Sequence, residues 1–125
     1  MTTLIDTSVI IDFIAGNERI VALIQELANK EEIKTTSITE YELLKHKSKL
    51  KKQLAEEFLS EITVYPFDGA AAKEAALLFK ELSDAGRMIN ENDLLIAGIS
   101  LANDEVLLTR DKKLANVGKD NIRII

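Results

Sequence analysis

Cysteine and tryptophan are absent from the 125 residues, and the chain has one proline and one histidine. Without thiols there is no disulfide framework, no thiolate zinc centre and no cysteine nucleophile, and a cytoplasmic chain fits best. His46 has no second histidine or cysteine with which to share a metal, so we read it as structural. Aromatic residues make up only 5% of the chain, and no pair of them is spaced like a base-stacking platform, which argues against reading single-stranded bases by stacking. No apolar run approaches the roughly 18 residues needed to cross a bilayer, and no basic segment precedes an apolar core at the amino terminus. We therefore expect neither membrane insertion nor secretion. No G-x-x-x-x-G-K-[ST] loop or G-x-G-x-x-G turn follows a strand pattern, so nucleotide cofactors find no support.

What is present is ordinary for a folded protein: 46% of residues are apolar and 30% charged. Residues 1–125 are expected to form one domain, with one real core. A net charge of −5 argues against holding nucleic acid by bulk electrostatics, while leaving room for a local basic patch on an enzyme.

Strand and helix patterns alternate along the chain. Thr3 to Ile5 predicts a strand, and "SVIIDFIAGN" and "RIVALIQELANK" predict helices separated at Gly16 and Asn17. "EIKTTS" predicts a short strand, "ITEYELLKHKSKL" and "KKQLAEEFLSE" two helices, and "ITVYPF" a strand stopped near Pro66. "GAAAKEAALLFKELSDAG" is the most secure helix, with Asp68 placed to cap it and Gly86 to end it. "NENDLLIAGISLAND" predicts a buried helix whose Ala97 and Gly98 allow close packing on a sheet. "EVLLTRD" predicts a strand, "KKLANVG" a helical turn, and "NIRII" a last strand. This alternation implies crossover connections, hence a three-layer α/β/α sandwich with a mainly parallel central sheet. Ligands of such sheets bind beyond the carboxyl ends of the strands, where chain order reverses.

Asp6 and Asp111 both follow apolar strand patterns and should reach that crevice. Read alone, Asp6 before Thr7 and Ser8 is a helix N-cap, and Asp93 at the head of "DLLIAGISLA" is a first-turn acid that complements the helix dipole. In "SITE", Ser37 and Glu40 match a capping box. Glu42 then faces another side of the helix, and its bland role is an exposed pair with His46 at i+4. A later helix start would exchange Glu40 for Glu42. Together, Asp6, Glu42, Asp93 and Asp111 come from four distant segments that meet at one sheet edge. Clustered carboxylates resist ionisation unless a cation compensates them, and all-oxygen donors select magnesium or manganese over zinc.

These segments carry a resemblance. Through "LIDTSVIID", "SITEYELL", "NDLLIAGISLA" and "VLLTRDKKL", in that order, nearly the whole chain resembles PIN-domain proteins, and more narrowly VapC-type toxin ribonucleases of prokaryotic toxin–antitoxin systems. The resemblance implies a Mg2+- or Mn2+-dependent endoribonuclease that hydrolyses RNA phosphodiester bonds. Asp6, Glu42, Asp93 and Asp111 take the catalytic places, and Ser8 and Thr109 act as polar helpers. Asp6 and Asp93 are the first candidates for direct metal ligands. Asp111 binds directly or through water, and Glu42 orients the attacking water or completes a second site. Arg110, Lys112 and Lys113 flank Asp111 and are placed to touch the scissile strand. The lysines of "KHKSKLKK" are either a backbone contact for RNA or a solvated helix junction. The resemblance further implies a homodimer and a cognate antitoxin whose tail fills the acidic groove. Two departures touch no acid: Gly98 stands where alanine is common, and Leu114 where an aromatic is usual. Other readings are a PIN-like module that binds RNA or protein without cutting, and an RNA-processing nuclease outside a toxin–antitoxin pair.

Overall fold

The computed structural model describes residues 2–125. Five parallel strands form one sheet in the order β3-β2-β1-β4-β5. They are β1 (Thr3–Ile5), β2 (Lys34–Thr36), β3 (Thr63–Tyr65), β4 (Val106–Thr109) and β5 (Ile122–Ile124). The chain winds outward from β1 through β2 to β3, then returns to place β4 on the other side of β1. Chain order therefore reverses between β1 and β4, where Ile5 pairs with Leu108.

Strand side chains alternate between the two faces, and each face has its own core. Leu4 and Leu107 point into a cluster with Leu78, Leu82, Ile96 and Ile99. These come from α5 (Gly69–Ala85) and α6 (Glu91–Ala102). Ile5 and Leu108 point the other way, into Val9, Ile10, Ile20, Ile24, Leu43 and Leu59. That layer is built from α1 (Thr7–Ile14), α2 (Glu18–Ala28), α3 (Ser37–Leu44) and α4 (Lys49–Ser60). The layout is the expected three-layer sandwich. Among the described residues no helix is long and apolar enough to cross a membrane.

Local chemistry sets the boundaries. Asp68 caps α5 by accepting from Ala71 N, and Gly86 ends it in the left-handed region at φ 68°, a conformation glycine adopts without a Cβ clash. Three sequence expectations need correction. The cap of α3 is Thr36, whose hydroxyl accepts from Thr39 N at 3.1 Å, and Ser37 lies inside the helix and accepts instead from Phe67 N. The helix expected to run through "KHKSKL" stops at Leu44, and a new one starts under a Ser48 cap. Leu43 of α3 and Ala55 and Leu59 of α4 enter one core, so the chain must turn between them. Gly98 packs on α5 rather than on the sheet: a Cβ there would lie 2.8 Å from Ala75 Cβ and 2.9 Å from the Ala71 carbonyl oxygen.

Candidate active site at the carboxyl edge of the sheet

Asp6 leaves β1 at the point where chain order reverses, and it does cap α1. Its Oδ1 accepts from Val9 N at 3.2 Å and from the Ser8 hydroxyl at 2.5 Å, and its Oδ2 accepts from the Thr109 hydroxyl. Each hydroxyl is itself oriented by a backbone N–H of the loop after β4, with Arg110 N donating to Ser8 Oγ and Asp111 N to Thr109 Oγ1, both at 3.0 Å. Two short relays thus clip that loop to one carboxylate. Asp6 is only 3% exposed. Burial pushes its carboxyl above the usual range, against the opposing pull of the Ser8 and Thr109 hydrogen bonds.

Glu42 projects from α3 toward the same edge. Its Oε1 accepts from the Thr7 hydroxyl at 2.6 Å and its Oε2 from Asn92 Nδ2 at 3.3 Å. Glu40 lies instead along a groove between α3 and α4 with Leu44, Glu56, Leu59 and Ser60. The proposed partner of Glu42, His46, is engaged elsewhere: its Nδ1 accepts from Ser48 N at 3.1 Å.

Asp93 sits in the first turn of α6, below an Asn90 cap that exchanges two hydrogen bonds with it. Asp93 N donates to Asn90 Oδ1 at 2.9 Å, and Asn90 Nδ2 donates to Asp93 Oδ2 at 2.8 Å. Its carboxyl is nevertheless pushed up to about 6, first by lost hydration and then by the charges of Asp111, Asp6 and Glu42. Asp111 caps the 3-10 turn over Lys112–Val117, with its Oδ1 accepting from Lys113 N at 2.9 Å.

All four acids therefore face one end of the molecule. None of the ion pairs among the described residues involves any of them. They feel one another electrostatically, although among the described residues no three of them close into a ready-made chelate. An oxygen-only donor set with an unrelieved negative charge suits a hard divalent cation such as Mg2+ or Mn2+.

The basic residues divide. Arg110 turns to α1, where its Nε meets Asp12 Oδ2 at 2.9 Å, while its Nη1 is buried without a partner. Lys112 and Lys113 are exposed beside Asp111, and Lys45 to Lys52 lie at the α3–α4 junction. Asn90 and Asn92, which hydrogen-bond Asp93 and Glu42, are residues that sequence reasoning passes over. Asn90 carried a readable signal, a capping residue three positions before an acid. Asn92 carried none, because its partner lies fifty residues away.

A family model described as the PIN domain matches residues 3–120. No curated protein matches. Among solved structures, a chain of VapBC2 from Rickettsia felis, bound to a DNA fragment from their promoter, is similar at 25% identity and a TM-score of 0.86, over 100% of this chain and 98% of that one. DNA-bound VapBC from Salmonella typhimurium gives 26% and 0.82, over 100% and 97%. VapBC-5 from Mycobacterium tuberculosis, of the VapBC family of toxin-antitoxin systems, gives 27% and 0.74, over 99% and 97%.

Proposed function

The chain belongs to the PIN domain family, and from that premise we propose that it is a metal-dependent endoribonuclease, the toxin of a type II toxin–antitoxin pair. The observation that carries the nuclease reading is the state of Asp93, whose carboxyl is lifted to about 6 partly by three other acids drawn from three other segments. A fold gains nothing from such repulsion. A site that recruits a cation does.

Asp6, Asp93 and Asp111 would hold one or two Mg2+ or Mn2+ ions, with Glu42 beside them. A divalent ion bound there supplies an activated water and neutralises charge on the attacked phosphodiester. The chain's own residues do the positioning. Ser8 and Thr109 lock both oxygens of Asp6 and tie Asp111 to it through the backbone. Glu42 is fixed between α1 and α6, at a place suited to orienting water or a second ion. Lys112 and Lys113 are free to meet the RNA backbone. Arg110, paired with Asp12, would have to exchange that partner for a phosphate.

The toxin assignment is supported by the similar chains, which belong to VapBC complexes. It brings with it a cytoplasmic setting, a homodimer and an antitoxin that covers the acidic edge. Purified protein should cut an RNA pool when Mg2+ or Mn2+ is added and stop with a chelator. Equal cleavage in both conditions removes the metal mechanism, and no cleavage in either removes the nuclease.

A further inference from the structure

We propose that Asn92 is a positioning residue that acts through Glu42, fixing a side chain that α3 alone would leave free to rotate. The inference rests on the nuclease reading for its kinetic consequence, but its geometric content stands apart from it.

A glutamate has three rotatable side-chain bonds, so holding its carboxylate needs a donor on each oxygen. Thr7 supplies one. Its hydroxyl has a single proton, which goes to Glu42 Oε1 at 2.6 Å. The neighbouring Thr39 hydroxyl lies 3.1 Å away and is a second, longer acceptor for the same proton. Thr36 also donates to Thr39, at 3.4 Å. This threonine cluster, with Thr36 and Thr39 buried and Thr7 half-buried, reaches only Oε1 of the carboxylate. It leaves Oε2 unheld. Asn92 Nδ2, at 3.3 Å, is the group that reaches it, from a helix far away in sequence.

The placement is informative because Asn is a poor helix former compared with Ala, and Asn92 does not cap α6. The cap is Asn90. Asn92 precedes Asp93, so the amide also sets where Glu42 stands relative to that acid. A longer or charged side chain at this position would disturb both.

The test is a double-mutant cycle on the full chain: wild type, Asn92→Ala, Glu42→Ala and the double variant. Metal-free melts come first, and Ala at 92 should preserve folding. With an RNA substrate and Mn2+, Asn92→Ala should lower kcat about tenfold, the scale of one lost hydrogen bond to a charged group, with KM within about twofold. In the Glu42→Ala background the same change should alter kcat by less than about twofold. Equal factors in both backgrounds, or no loss in wild type, overturn the proposal. The side-chain amide signal of Asn92 in a metal-free 15N spectrum is the second readout. It should move on Glu42→Ala, and an unmoved signal also overturns the contact. If wild type does not cleave RNA, the nuclease reading fails, and this signal decides by itself whether Asn92 positions Glu42.

Discussion

Replacing Asp93 with Asn should stabilise the metal-free protein, and the gain should depend on pH in a way no other reading gives. The Asp93 carboxyl is raised from 3.8 to about 6 in the fold. At about 1.4 kcal/mol per pH unit this is a gross penalty of about 3 kcal/mol on the ionised form at neutral pH. Asp93 is half-buried, and solvent screening reduces the net figure to about 1–2 kcal/mol. The sign follows from proton uptake. Between about pH 4 and 6 the folded state holds a proton on Asp93 that the unfolded chain has released, so stability falls as pH rises through that window. Below it, both states are protonated and the penalty vanishes. Asn cannot ionise, and its amide oxygen can still accept from Asn90 Nδ2. Wild type and Asp93→Asn should therefore match near pH 4 and diverge by pH 7, with the variant melting about 3–10 °C higher in the presence of a chelator. Added Mn2+ should narrow the gap, because metal stabilises only the chain that binds it well. A variant no more stable than wild type at pH 7, or one with the same pH slope, refutes the electrostatic argument. If Mn2+ raises both melting points equally, Asp93 is not a ligand.

Two other substitutions test neighbouring links. Glu42→Gln should reduce cleavage about 100-fold or more, the scale of a lost acid–base or water-orienting group, whereas Glu40→Gln, which lies toward α4, should leave the rate within about threefold; reversed effects in the cleavage assay move the site to Glu40. Gly98→Ala should destabilise by about 1–3 kcal/mol in denaturant melts, because its Cβ would meet backbone and Cβ atoms of α5 at 2.8–2.9 Å, and an unchanged midpoint would mean that α5 and α6 separate freely.

Where a signal was local, the sequence carried it. Helix α5 was legible end to end, because Asp68 and Gly86 bracket a run of strong helix formers and both act through their own backbone. The strand order was legible only as a class: alternation implies a parallel sheet, and the reversal between β1 and β4 then brings Asp6 and Thr109 together. The break after Leu44 was not legible, since Lys45 to Lys52 are compatible with helix and the turn is imposed by the core that Leu43 and Leu59 share. The α3 cap was missed by one residue because Thr36 and Ser37 are both hydroxyl residues. Backbone geometry decides between them, and Thr36 is the extended one, at φ −115° and ψ 157°. Among the candidate acids, Asp6, Asp93 and Asp111 could be picked from their places after strands and at a helix start, whereas Glu42 lies in the last turn of α3. Of the amides that hold two of them, Asn90 had a legible signal as a capping residue before an acid, whereas Asn92 had none, since its contact with Glu42 leaves no periodic trace.

Capping, which competes with metal binding when Asp6 is read alone, is compatible in this fold with a place among clustered acids. In a parallel sheet, each strand's carboxyl end leads into a helix start, where unpaired N–H groups and the dipole favour a carboxylate. Asp6 and Asp111 both occupy such positions, and both spend Oδ1 on a backbone N–H. Asp93 lies in a first turn whose cap is supplied by Asn90. The forces that place these acids for helix stability therefore also gather them at one edge. What capping does not require is that they crowd until Asp93 resists ionisation. Asp68 caps the longest helix with the same chemistry, accepting from Ala71 N at 3.0 Å, and it is exposed on the surface. Burial of Asp6 and crowding around Asp93, rather than a capping bond, separate these two acids from Asp68, which only caps a helix.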